Sequence, residues 1–151
     1  MGNFLPRLLS HRVIIFKYKA TLNPETMKNL EYNTGETGLR AVLRDYEEIA
    51  LRTLWESQQG LNSRTMYERV NKQLLPESIS RASIINFLED MREMGILGGE
   101  QKTGKGGYHW IYTPAMDESG FKRFVAMTLI RSLLKDFPEE TRKALDESIL
   151  S

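Results

Sequence analysis

The chain has 151 residues, enough for one domain with a buried core or for a small domain carrying an oligomerisation arm. Its formal net charge is only +1, with 40% apolar and 27% charged residues, so any affinity for a polyanion must come from local clustering of positive charge. The absence of cysteine excludes disulfides, thiolate metal sites and thiol redox sensing, and no apolar run approaches the roughly 18 residues of a membrane span.

Residues 1–42 read as an N-terminal extension without recognisable chemistry. "VIIFKYK" favours a strand by its β-branched and aromatic content, but with its neighbours "HR" it is too short and too charged for a signal-peptide core. A cytoplasmic setting away from any membrane is expected. "NPETMKNL" has the marks of a short helix, with Asn23 as cap, Pro24 in the first turn and Glu25 at the positive end. "NTGETG" is a loop. Two roles stay open for this segment: a plain extension, or an arm that pairs with a partner or touches DNA.

From Leu43 a helical pattern sets in. Leu43, Tyr46, Ala50 and Leu54, joined by Leu51 and Trp55, make "LRDYEEIALRTLWESQ" an amphipathic helix ended by Gly60. Trp55 is expected in the core. "NSRTMYERVNKQL" starts at a capping Asn62 or Ser63 and sets Met66 and Val70 one turn apart. After a turn at "LPESIS", a third helix opens on Ser80 and closes on Gly95, with Ile84, Phe87, Leu88 and Met91 inward. "ILGGEQ" and "YHWIYT" then form a hairpin around "KTGKGG".

Gly99 to Lys105 has the spacing of a phosphate-binding loop, but Gly106 replaces the Ser or Thr whose hydroxyl would hold magnesium. An aromatic strand follows it, where a phosphate loop needs a helix N-terminus. The loop is therefore read as a hairpin tip whose lysines meet phosphates by charge alone. Three helices followed by such a hairpin is the order of a winged helix-turn-helix, in which the third helix enters the DNA major groove.

The fold class that follows is mainly α with a small β hairpin: a winged helix-turn-helix domain over residues 43–115 and C-terminal dimerisation helices over 116–151. In "FKRFVAMTLIRSLLKDF", Phe121, Phe124, Val125, Leu129 and Leu133 form one stripe, and Met127, Ile130, Leu134 and Phe137 a second. A helix apolar on two sides needs cover on both: one side can pack on its own domain, and a second copy of the chain is the expected cover for the other. A last helix begins at Pro138, with Glu139 and Glu140 at its positive end.

Over residues 43–150 the chain resembles the penicillinase-repressor family of winged-helix regulators. The resemblance lies in "LRTLW" closing the first helix, "MYERV" in the second, "SRASIINFLEDMREMGIL" through the third, and "IYTP" after the wing. It implies a homodimeric repressor of transcription that binds a palindromic operator in double-stranded DNA. It also places the base-facing positions at Ala82, Ser83 and Asn86, with Arg81 beside them. Family members are commonly more basic there, where this chain has Ala82 and Ile85. Some members are switched by cleavage of an Asn-Phe bond in the first C-terminal helix; this chain has none between Asp117 and Lys135. The cysteine-rich tail of copper-responsive members is also missing.

Several residues are therefore candidates for DNA contact. Asn86 has the amide that pairs with adenine in the major groove, Arg81 and Ser83 lie at the accessible end of the same helix, and Arg64 begins the second helix, where its N-terminus favours phosphate. Lys102 and Lys105 would contact phosphates from the wing. Each has a plainer alternative as a solvated surface residue. His11 and His109 have no metal-ligand partners in the pattern, and no carboxylate or nucleophile stands in a catalytic spacing. No enzymatic activity, metal or cofactor is expected. The competing reading is a winged-helix protein-interaction module within a larger assembly, for which near-neutral charge and a weakly basic third helix speak.

Overall fold

The computed structural model describes residues 30–151. The strand expected at 13–19, the greater part of the helix expected at 23–30, and His11 lie outside the described residues. The chain divides into two units, one ending at Glu118 and the other Ser119–Ser151.

In the first unit, the loop at 33–38 is closed by the Asn33 side chain, which accepts from the Gly35 N–H at 2.9 Å, and by the Asn33 N–H, which donates to the Ala41 carbonyl at 2.7 Å. A 3-10 turn at Gly38–Ala41 follows. Leu39 and Ala41 are buried with Leu43, so the apolar interior already draws on residues that the sequence pattern assigned to the extension.

Helix α1 (Asp45–Glu56) starts where three acidic residues occupy the first turn and the Glu47 carboxylate accepts from the Arg44 N–H at 2.8 Å. Both features satisfy the positive end of the helix. Leu43 lies ahead of α1, and the helix ends at Glu56, short of Gly60. Ala50, Leu51 and Leu54 form its fully buried face. Trp55 is half-buried, its indole N–H donating to the Met116 carbonyl at 2.9 Å.

Asn62 caps α2 (Ser63–Leu74) by accepting from the Thr65 N–H at 2.8 Å, and Met66 and Val70 are the helix's buried pair. Asn71 then pins the following turn. Its carboxamide donates to the Tyr67 and Ile79 carbonyls and accepts from the Ile79 N–H at 2.8 Å. Helix α3 (Arg81–Glu93) is capped by Ser80, which accepts from the Ser83 N–H at 3.0 Å. Ile84, Phe87, Leu88 and Met91 are buried as the period predicts, and Phe87 meets Tyr46 of α1 edge-on at 6.1 Å. Gly95 takes φ +76°, which lets Ile96 N–H return to the Met91 carbonyl at 2.9 Å and close the helix.

The sheet is larger than the expected hairpin. Strand β1 (Leu61–Asn62) joins β2 (Leu97–Gly104) and β3 (Gly107–Pro114) in the antiparallel order β1-β3-β2. Leu61 pairs with Tyr112 and Asn62 with Ile111. A two-residue strand has no periodicity of its own; its partner alone defines it. The side chains of Leu51, Leu54, Met66, Val70, Ile84, Leu88, Ile96 and Leu97 are essentially inaccessible, each worth about 1.5–3 kcal/mol of burial.

The second unit holds the bulk of α4 (Glu118–Asp136) and α5 (Pro138–Leu150). The turn between them is tight: the Phe137 N–H donates to the Leu133 carbonyl at 2.7 Å, and the buried Thr141 hydroxyl donates to the same oxygen at 3.1 Å. Pro138 opens α5 in its first turn, ahead of Glu139 and Glu140. Phe121 and Val125 are buried, while Met127, Leu133, Phe137, Ile149 and Leu150 are exposed in the single chain.

Candidate nucleic-acid interface

The Ser80 cap fixes the first turn of α3 and so decides which side chains stand at its open end. Arg81, Ala82 and Asn86 are exposed, Ser83 and Ile85 half-buried. The Ser83 hydroxyl lies 2.9 Å from that of Ser80, within the cap itself. Ser83 therefore contributes first to helix initiation, and its hydroxyl is already engaged. Arg81 makes no ion pair among the described residues. Ala82, Asn86, Asp90 and Glu93 succeed one another at helical spacing, all exposed. The face is neutral in its first half and acidic in its second. Only the first half, with the positive helix end and Arg81, favours approach to a polyanion.

Arg64 is the second residue of α2. Its Nε lies 3.2 Å from Glu68 Oε1, with both side chains more than half exposed. Such a pair contributes about 0–1 kcal/mol and releases its arginine readily to a phosphate.

The wing turns at Lys105 and Gly106, between the paired residues Gly104 and Gly107. Gly107 takes φ +94°, the left-handed conformation that returns the chain into β3. No helix follows the lysine, so the loop lacks the frame of a nucleotide site. The register separates the two lysines that the sequence grouped. Lys105 is exposed at the tip and makes no ion pair among the described residues. Lys102 stands opposite His109 on the hairpin face shared by Glu100 and Ile111, its Nζ 3.9 Å from Glu100 Oε2. The other face carries the pairs Gly99–Tyr112, Gln101–Trp110 and Thr103–Tyr108.

Sequence reasoning missed Tyr108. It is 75% exposed beside the tip, the outermost member of an aromatic row with Trp110 and Tyr112. The alternation in "GYHWIYTP" held the signal: aromatics two apart share a face, and Tyr108, nearest the tip, is left exposed. Among the described residues, no group of three His, Asp or Glu could hold a metal ion, and no helix is long and apolar enough to cross a membrane.

Of the residues assigned to dimerisation, Phe121 and Val125 are buried within the single chain and leave little surface for a partner. Phe124 and Leu129 are half-buried. Leu133 is exposed, as are Met127 and Phe137 of the second stripe.

No family model and no curated protein matches the chain. Among solved structures it is similar to a possible transcriptional regulator from Methanosarcina mazei Go1, with 13% identity and a TM-score of 0.50 over 67% of this chain and 78% of that one. A second likeness is to the ORC1 protein of Aeropyrum pernix solved in complex with DNA, with 13% identity and a TM-score of 0.43. That match spans 56% of this chain and 24% of the ORC1 chain. Element order, sheet topology and the first of these likenesses define the class by fold: mainly helical with a small antiparallel sheet, a winged helix.

Proposed function

We propose that the chain is a sequence-specific DNA-binding regulator of transcription, a repressor that acts as a homodimer on a palindromic operator. One observation carries this reading: the first half of α3 presents an exposed face of Arg81, Ala82 and Asn86 that is free of acidic groups, and among the described residues neither its arginine nor Lys105 at the wing tip is held in an ion pair. Asn86 reads a base edge. Arg81, Arg64 and Lys105 meet phosphates, and Tyr108 lies along the backbone beside Lys105. Lys102, on the shaft and near Glu100, takes a lesser part. Ala82 offers apolar contact to a thymine methyl, and Ser83 holds the cap.

The resemblance to penicillinase repressors supports both the dimer and the repressor role. The exposed Leu133, Met127 and Phe137 supply the apolar surface for a second copy. The reading assigns the chain no catalytic step, no metal and no cofactor, and it places the protein in the cytoplasm with its DNA.

Asp90 and Glu93 on the exposed face of α3 favour the competing reading, a winged-helix module that binds a basic protein surface. Selection from a random duplex pool separates the two. A regulator enriches an inverted repeat with half-sites about one helical turn apart; a pool left unenriched overturns the regulator reading.

A further inference from the structure

Four side chains join the second half of α3 to the shaft of the wing. Arg92 donates to Glu89 Oε2 through Nη2 at 2.7 Å and Nε at 3.2 Å. The Tyr112 hydroxyl donates to Glu89 Oε1. Both oxygens of one carboxylate are thus held, one by its own helix and the other by β3. The Arg92 guanidinium lies over the Trp110 ring, its Cζ 4.3 Å from the centroid. Gly99 leaves the space for this stack: a Cβ there would stand 2.9 Å from Trp110 Cε3 and 3.1 Å from Arg92 Cδ.

The charge states suit the contacts. Burial pushes the Glu89 carboxyl up, but its hydrogen bonds from Arg92 and Tyr112 outweigh this and hold it below the usual glutamate value. Burial, with Glu89 adding to it, pushes the Tyr112 phenol well up. At neutral pH the carboxylate stays an acceptor and the phenol a donor.

The outer hairpin needs such an anchor. Beyond Ile111, β3 is paired with β2 alone, and residues 99–109 are all exposed. A two-stranded hairpin by itself is marginal in water. We propose that Glu89, Arg92, Trp110 and Tyr112 form a clamp that makes α3 and the wing a single rigid reading head, so that binding at the wing tip is energetically coupled to the recognition helix. The coupling to DNA rests on the DNA-binding reading above. Arg92 and Glu89 act as positioning residues, remote from the tip they hold in place.

The test compares wild type, Arg92→Met, Lys105→Ala and the double variant. Methionine keeps an apolar stem beside Gly99 and removes the guanidinium. Each protein is titrated with a mixed-sequence duplex over a salt series. In the wild-type background, Lys105→Ala should weaken binding severalfold and reduce the salt slope by about 1 for each phosphate no longer neutralised. In the Arg92→Met background both effects should shrink towards nothing. An equal fold-loss from Lys105→Ala in the two backgrounds overturns the coupling. Hydrogen exchange reads the clamp without DNA: amides of 101–109 should exchange faster in Arg92→Met, while buried amides of α1 to α3 keep their protection. Unchanged wing exchange overturns the clamp. A wild-type protein that ignores the duplex overturns the DNA-binding reading instead, and exchange then decides the clamp alone.

Discussion

Asn71 brings a donor and an acceptor into the turn between α2 and α3, and the Ile79 backbone uses both. That double hydrogen bond ties down the residue just before Ser80, the cap of α3. Asn71→Ala leaves the Ile79 N–H and two carbonyls without this partner, and should lower stability by about 2 kcal/mol in chemical denaturation. Asn86 and Lys105 test readout against positioning. Asn86→Ala should lose about 1–3 kcal/mol of discrimination at one base pair per half-site, with the salt slope of binding nearly unchanged. Lys105→Ala should weaken binding to all sequences by a similar factor, because phosphates carry no sequence information. Competition binding against single-base variants of the selected site distinguishes the two. Tyr108 is so exposed that replacing it with Ala should leave the melting temperature unchanged and lower DNA affinity. Equal affinity would remove it from the interface.

Among the elements, the joint between α3 and the wing carries a pH signature. The Glu89 carboxyl is held below its ordinary value in the folded protein. Its contribution is therefore complete above the usual glutamate range and is lost as pH falls through the lowered value. The near-UV circular dichroism of Trp110 should titrate in acid, below the usual glutamate range, and Glu89→Gln should remove that titration. The helix at this joint was legible in the sequence because burial at period 3.6 and capping agree: Ile84, Phe87, Leu88 and Met91 lie between Ser80 and Gly95 as the pattern predicts. Strand β1 was not, since two residues show no period and Leu61 becomes a strand only by pairing with Tyr112. Nor was the separation of Lys102 from Lys105, which depends on where the hairpin turns and hence on the left-handed Gly107. The clamp was half legible. Glu89 and Arg92 are three apart on one helix, but nothing local announces that Trp110 and Tyr112 will meet them. In α4 the two apolar stripes were visible, yet sequence could not say where along a stripe the cover within the chain stops: Phe121 and Val125 are buried, Leu133 on the same stripe is not.

At the scale of the whole molecule, a net charge of +1 leaves no general attraction for DNA, and everything depends on segregated charge. On the proposed reading, pairing with a second copy multiplies what little there is. Leu133→Glu, at a site exposed in the single chain, should yield a folded monomer by sedimentation and lower operator affinity by roughly 10²–10⁴, the advantage of engaging two half-sites together. A variant that still sediments as a dimer would remove α4 from the interface. The central claim, that this winged helix binds duplex DNA through a small set of placed cations, is tested most directly by the salt dependence of that binding. Arg64, Arg81 and Lys105 from each of two subunits would neutralise about six phosphates, for which log affinity should fall linearly with log salt at a slope near −5, a loss of roughly 10³ between about 50 and 200 mM. A flat dependence, or no binding even at the lowest salt, would contradict the account and leave the fold to serve a protein partner.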